Sequence, residues 1–174
     1  MKNLSLILLT LFLVTSCKKI AFNDAYNESY RKFLKFKKQT DNTYSYTQKY
    51  SDWDGYSQTT VLKIRKGKVA ERAFESYQFR AEEKKLLESW VEKEITLNTH
   101  ESGAPARTLD EVYALAKSEW LKVDKKHNTI YFETKNNGLI STCGYVPKPP
   151  LIDGGLNGIK ISEIKPLNNL TVYQ

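Results

Sequence analysis

The sequence predicts an α+β fold, with one antiparallel sheet of about six strands and helices packed on one face of that sheet. Along the 174 residues, the spacing of apolar side chains changes from a helical period to a period of two, and then repeats that change. Two short turns, at residues 66–67 and 137–138, each lie between strand-like segments, and such turns join antiparallel neighbours. The predicted order is one helix, three strands, two helices and three strands.

The first helix is predicted over residues 22–39, where apolar side chains recur at helical spacing. Either Asn23 or Asp24 is expected to cap its start, because both side chains accept hydrogen bonds from free backbone N–H groups. The polar residues 41–42 are expected to end it. Its apolar stripe consists of Phe22, Tyr26, Tyr30, Phe33 and Leu34.

The segment TYSYTQKY at residues 43–50 alternates tyrosines with mostly small polar side chains, which is typical of a half-buried strand. Because alternate side chains of a strand lie on one face, its tyrosines are expected to face the core together. These tyrosines are Tyr44, Tyr46 and Tyr50.

The next segment, TTVLKIRKGKVAERAF, predicts a hairpin with a two-residue loop at residues 66–67. That loop places Ile64 opposite Val69. The same register would then place the apolar Leu62 opposite Glu71, a mismatch that a β-bulge would correct.

Residues 79–95 are predicted to form the second helix, because four apolar side chains recur there at helical spacing. After a loop over residues 98–107, Thr108 and Glu111 form a capping box that opens the third helix. The apolar face of the second helix would consist of Leu86, Leu87, Trp90 and Val91, and that of the third of Leu109, Val112, Tyr113, Ala116 and Trp120.

The dipeptide Asn137-Gly138 lies between two β-rich segments and predicts another two-residue hairpin loop. Counting outward from this loop places Phe132 opposite Cys143, on the face that is expected to meet the core. Residues 147–158 contain several prolines and glycines and are expected to form an irregular loop. The segment GIKISEI, residues 158–164, predicts one final strand, and the tail 168–174 would add an edge strand.

Cys143 is the only cysteine after residue 17. Three interpretations are open: it packs in the core, it acts as a nucleophile with His100 or His127 as its base, or it forms an intermolecular disulfide. The hairpin register favours packing, because free cysteine is among the most buried residue types.

The chain starts with a lysine, an apolar run over residues 4–14 and small residues, the pattern of a secretory signal peptide. The run is shorter than the roughly 20 residues that a membrane-spanning helix needs. Val14-Thr15-Ser16-Cys17 resembles the lipobox of bacterial lipoproteins. This resemblance implies a signal peptide over residues 1–16 and a diacylated Cys17, which leaves a tether over residues 17–21 and one globular domain over residues 22–174.

Lys18 and Lys19 follow the lipobox, with no aspartate at the second position and no acidic cluster behind it. In Gram-negative lipoproteins this pattern is similar to that of proteins released to the outer membrane, so we expect a lipid anchor there and a domain that faces the periplasm. The expected partners are the membrane, through the lipid, and an envelope protein or a cell-wall glycan.

The sequence has no HExxH, G-x-S-x-G, P-loop or S-x-x-K motif. His100 and His127 fall in predicted loops without the spacing of a metal pair, and metal sites need three or four ligands. The net charge of +7 is spread along the chain, except for a cluster in residues 31–38, without the basic stripe and aromatic platforms of a nucleic-acid site. We expect no catalytic residue, no cofactor, no metal and no nucleic-acid partner.

Two loops are candidates for binding, since loops that a scaffold holds commonly carry function. The hypothesis that we favour is a non-catalytic binding or accessory role in the cell envelope. An inhibitor or immunity lipoprotein, with one loop blocking a toxin, lysozyme or protease, is the alternative, and a hydrolase that uses Cys143 is a more distant one. The first loop contains Trp53, Asp54 and Tyr56, and the second contains Pro147, Pro149, Pro150 and Asp153.

Three short stretches support one further resemblance. They are Tyr44-Ser45-Tyr46, VLKIRKGKV, and TLDEVYALAK followed by strands around Gly144-Tyr145. Together they resemble the bacterial family of exported proteins called domain of unknown function 6174, although this chain lacks the family's cysteine pair after the first strand and the acidic run before the last. The resemblance implies an exported α+β domain and supplies no catalytic residue.

Overall fold

The computed structural model describes residues 20–81, 83–149 and 155–167, and within them it has two α-helices and eight strands in two antiparallel sheets. The predicted α+β class is confirmed, whereas the single sheet of six strands and the second of the three predicted helices, residues 79–95, are wrong. The elements are α1 (Asn23–Gln39), β1 (Tyr44–Ser51), β2 (Tyr56–Arg65), β3 (Lys68–Arg80), β4 (Glu83–Lys93), α2 (Leu109–Ser118), β5 (Asn128–Glu133), β6 (Thr142–Pro147), β7 (Asn157–Lys160) and β8 (Glu163–Pro166). The larger sheet has the order β4-β3-β2-β1-β8, and the smaller has the order β5-β6-β7.

Helix α1 forms where it was expected, but its N-cap residue is Phe22 and no side chain caps it, so the predicted cap at Asn23 or Asp24 is wrong. Its buried face packs on Tyr113 of α2. The rings of Phe33 and Tyr113 stack with centroids 4.7 Å apart, and the hydroxyls of Ser29 and Tyr113 are hydrogen-bonded at 2.7 Å. Such stacked rings stabilise a helix pair beyond the area that they bury.

Helix α2 begins with the predicted capping box, in which the Thr108 hydroxyl accepts from the Glu111 N–H and the Glu111 carboxylate accepts from the Thr108 N–H. The predicted apolar face is buried as far as Trp120, which lies in the short 3-10 turn that follows.

The β2–β3 hairpin has the predicted loop and the predicted pair Ile64–Val69. The register then shifts by one residue at Ala70, so that Leu62 lies opposite Arg72 rather than Glu71. This is the bulge that the sequence required, because without it the acidic side chain would face the core.

Residues 79–95 do not form the predicted helix, because most of them belong to strand β4. The apolar side chains that suggested a helix are largely outside the core: Leu86 is 51% exposed and Val91 is 57% exposed. The side chain that β4 buries is Glu92, which meets Arg72 of β3. The long strand β3 hydrogen-bonds one edge of β4, and this tertiary contact overrides local helical spacing.

The predicted final strand over residues 158–164 is two strands in different sheets, β7 beside β6 and β8 beside β1. The chain passes from one sheet to the other at residues 161–162. There the Ile161 N–H donates to the Ser141 carbonyl at 2.7 Å, and the Ser162 N–H donates to the Thr47 carbonyl at 2.8 Å. The tail 168–174, predicted as an edge strand, lies outside the described residues.

One core unites both sheets and both helices. Tyr44 and Tyr46 lie in it as predicted, whereas Tyr50 is 53% exposed, because β1 extends beyond the core at its end. The second hairpin has the predicted register, with Phe132 opposite Cys143. Cys143 has no exposed surface and lies in this core.

Cys143→Ser is expected to lower the free energy of unfolding by about 1–3 kcal/mol, because a hydroxyl would replace sulfur in an apolar site without a hydrogen-bond partner. Cys143→Ala should cost less than the serine variant. Urea denaturation of the two variants and the wild type measures the difference, and a serine variant as stable as the wild type would contradict the buried position.

Candidate functional site

The buried position of Cys143 does not suit a nucleophile. Burial raises the pKa of its thiol to about 12, so the reactive thiolate is scarce at neutral pH. Each histidine is hydrogen-bonded to a carboxylate instead: His100 Nδ1 lies 2.9 Å from Glu92, and His127 Nδ1 lies 2.8 Å from Asp124. In the part of the chain that the structure describes, no three or more histidine, cysteine or acidic side chains are grouped to hold a metal.

The turn between β1 and β2 holds the first candidate loop in a fixed shape. The Tyr56 N–H donates to carboxylate oxygens of both Asp52, at 2.9 Å, and Asp54, at 3.1 Å. Gly55 has a φ of 91°, and a Cβ there would lie 2.3 Å from the Phe79 carbonyl oxygen, so only glycine fits.

This turn is also joined to β3. The Phe79 N–H donates to the Gly55 carbonyl at 2.9 Å, and the Gln78 amide donates to the Asp54 carbonyl at 2.8 Å. Trp53 is 97% exposed on this hydrogen-bonded turn. We call the end of the larger sheet at this turn the distal tip, formed by Tyr50, Trp53, Tyr56 and Phe79.

The distal tip is aromatic and mostly open to solvent. Phe79 is 44% exposed, and the ring centroids of Tyr50 and Tyr56 are 6.4 Å apart. The ammonium group of Lys84 lies 5.6 Å from the centre of the Phe79 ring. Exposed aromatic side chains on a fixed backbone are the usual anchors of protein interfaces.

The structure describes only part of the second candidate loop. Pro147 is the half-buried last residue of β6 and Pro149 is exposed, while Pro150 and Asp153 lie outside the described residues. The Lys148 N–H donates to the His127 carbonyl at 2.8 Å, so this loop starts beside the turn before β5. The hydrogen bonds of the two candidate loops run to different elements and do not join them in one site.

Sequence reasoning missed a buried ion pair between neighbouring strands, Arg72 of β3 and Glu92 of β4, with 2.9 Å between Nη1 and Oε2. The two side chains are 2% and 1% exposed. Arg72 Nε also donates to the Ala104 carbonyl at 2.8 Å, and its other nitrogens donate to the carbonyls of His100 and Ser102. Arg72 lies two residues before the buried Phe74, so both side chains are on the same face of β3. A charged side chain on a buried face needs a partner, and this pattern in the sequence could have indicated the ion pair.

Glu92 accepts hydrogen bonds from the loop that follows β4. The N–H groups of Asn98 and His100 each donate to its carboxylate at 2.7 Å, and the Thr99 hydroxyl donates at 3.1 Å. Burial alone would raise the pKa of Glu92, but the hydrogen bonds from His100, Asn98 and Arg72 outweigh it and lower the pKa to about 2.

Aromatic rings cover the same ion pair. The Arg72 guanidinium carbon lies 4.6 Å from the Trp90 ring centre, and the His100 ring stacks on Trp90 at 4.4 Å. The Phe74 ring also stacks on Trp90, with centroids 5.2 Å apart. Residues 97–107 are therefore held on the sheet by charge, hydrogen bonds and ring stacking together.

The described residues form an α+β protein of two sheets with an aromatic tip and a loop fixed by a buried ion pair. Comparison of the chain with profiles of known protein families, with curated proteins and with solved structures gives no match. The resemblance to domain of unknown function 6174 therefore stays a prediction. No helix within the described ranges is long and apolar enough to cross a membrane.

Glu92→Gln is expected to lower the free energy of unfolding by about 3 kcal/mol at neutral pH, because it leaves Arg72 buried without a counter-charge. An unfolded glutamate has a pKa of about 4.3. Since the folded value is lower, Glu92 stabilises the fold above that pH, and the contribution is lost as the pH falls towards about 2.

Urea denaturation of the wild type and Glu92→Gln at several pH values measures this dependence. The variant should lose less stability than the wild type between about pH 5 and pH 2. Glu101→Gln is the control, because Glu101 is an exposed carboxylate of the same loop. Parallel pH curves for the wild type and Glu92→Gln would contradict the assignment.

Proposed function

We propose that this chain is a lipid-anchored protein of the cell envelope that acts by binding a partner and not by catalysis. The observation that carries the proposal is Trp53, which is 97% exposed on a turn that hydrogen bonds hold in place. An aromatic side chain on a rigid turn loses little conformational entropy on binding and buries a large apolar area.

Packing in the core does not explain why a tryptophan occupies position 53, because its side chain is almost fully exposed. The core contains Tyr44 and Tyr46 of the preceding strand, but it ends before Tyr50. A large apolar side chain in water gives the fold no burial energy. Binding, in contrast, would bury this surface together with the exposed rings of Tyr50 and Phe79.

The proposed lipid anchor rests on the resemblance of residues 14–17 to a lipobox that ends at Cys17. Ala21 is already part of the core, and its N–H donates to the Leu121 carbonyl at 2.8 Å. Three residues therefore separate the lipidated cysteine from Ala21, and the four steps of chain between them span at most roughly 14 Å. The domain is held close to the periplasmic face of the outer membrane, where an envelope protein or a cell-wall glycan meets it.

Metabolic labelling with an alkyne-tagged palmitate is expected to label the chain, and Cys17→Ala should abolish the label because it removes the acylated thiol. Cys143→Ala is the matched control, since it removes the only other cysteine and should leave the label unchanged. A label that survives in Cys17→Ala would contradict the anchor.

Replacing Trp53 with a photo-crosslinking phenylalanine analogue is expected to give a discrete protein or glycan adduct in the native envelope. The same analogue at Lys66 is the control, because Lys66 is an exposed residue in the turn at the opposite end of β2. No adduct at position 53, or the same adducts from both positions, would contradict binding through the distal tip.

A role as an inhibitor or immunity protein is the second candidate. The observation that favours it is the shape of the tip, in which one projecting aromatic side chain lies between Asp52 and Asp54. Such a projection fits a concave active site. In the crosslinking experiment, a secreted toxin, lysozyme or protease as the adduct supports this function, and an envelope component supports the first.

A further inference from the structure

We propose that a groove beside the distal tip binds an acidic oligosaccharide, a chain of sugar rings that carry carboxylates. The groove has a volume of about 380 Å³ and lies between strands β1 and β2, residues 103–105 and the start of β7. This assignment goes beyond the proposed function, because it does not depend on Trp53.

The floor of the groove continues the core face of the larger sheet past the end of the core. Gln48 lies opposite Thr60, and Tyr50 lies opposite Gln58. These positions follow Tyr44 and Tyr46 on the same face of β1, so this face continues beyond the core with Gln48 and the half-exposed Tyr50.

The floor offers free hydrogen-bonding groups. Among the described residues, the Gln48 side chain has no hydrogen-bond partner, and Gln58 uses only its Oε1 atom, which accepts from the Tyr56 hydroxyl at 3.1 Å. An amide both donates and accepts, as a sugar hydroxyl does. The half-exposed ring of Tyr50 beside them provides an apolar surface for the face of a sugar ring.

One wall of the groove is fixed before any ligand arrives. The Ala104 N–H donates to the Thr60 hydroxyl at 3.0 Å, and the Ala104 carbonyl accepts from Arg72 Nε at 2.8 Å. A Cβ at Gly103 would lie 2.9 Å from the Phe74 ring, so the loop sits directly on the sheet. A wall that is already ordered costs little entropy on binding.

The charge at the rim selects for an acid. Lys49 and Lys160 line both this groove and the depression that adjoins it. Neither forms an ion pair within the described ranges, and the one carboxylate that lines the adjoining depression, Glu133, is paired with Lys135. Two ammonium groups outside any ion pair among the described residues, beside amides and an exposed ring, match a sugar that carries a carboxylate.

The test is calorimetric titration of the full lipidated chain in detergent with a short oligogalacturonate and with its methyl ester. The ester keeps the rings and hydroxyls but removes the charge. We expect the acid to bind at least about tenfold more tightly than the ester, and added salt to weaken binding of the acid.

Lys160→Gln and Tyr50→Ala should each weaken binding of the acid about tenfold or more. Lys117→Gln, on the exposed side of α2, should not.

A second arm replaces the uronate with muropeptides that have free carboxylates. Binding of either acid supports the site if Lys160→Gln weakens that binding about tenfold or more. The acid that binds more tightly indicates whether the ligand is a uronate polysaccharide or the cell wall. No binding of any acid, equal binding of acid and ester, or full binding by Lys160→Gln would overturn the inference. These outcomes leave crosslinking at position 53 unaffected, so the two proposals fail separately.

Discussion

The ion pair of Arg72 and Glu92 is the interaction on which the outer half of the molecule depends. The larger sheet is wider and longer than the core beneath it, and β4 buries almost nothing apolar. A buried ion pair is tolerated only when hydrogen bonds satisfy the rest of both groups, and here the backbone of residues 97–107 supplies them. The same bonds fix the edge strand, fold the loop back on the sheet and place the wall of the groove.

The sequence allowed the prediction of elements whose signals are local. Thr108 and Glu111 mark a helix start within four residues, and Asn137-Gly138 sets a register that correctly put Phe132 opposite Cys143. Strand β4 shows where such reasoning ends. Its apolar residues fit a helix better than a strand, and the contact that decides its structure joins residues twenty positions apart.

The two sheets were not predictable from periodicity for a related reason. Alternation puts Ile159 and Ile161 on the same side of a strand, and both are buried, but it carries no information about which sheet each half of the segment joins. The candidate binding surfaces likewise include one part that the sequence could indicate and one that it could not. Trp53 stood out in the sequence because its loop is local, whereas the groove unites β1, β2, residues 103–105 and β7, which only the fold brings together.

The pairing of β8 with β1 brings the first and the last strand of the described residues together. A hydrogen bond from Ser162 to Thr47 spans 115 positions, so the larger sheet receives its last strand only when the end of the chain is present. High contact order of this kind slows folding. The edge of β1 that β2 leaves open is therefore closed by residues far along the chain, and a variant whose β8 cannot pair would expose that edge.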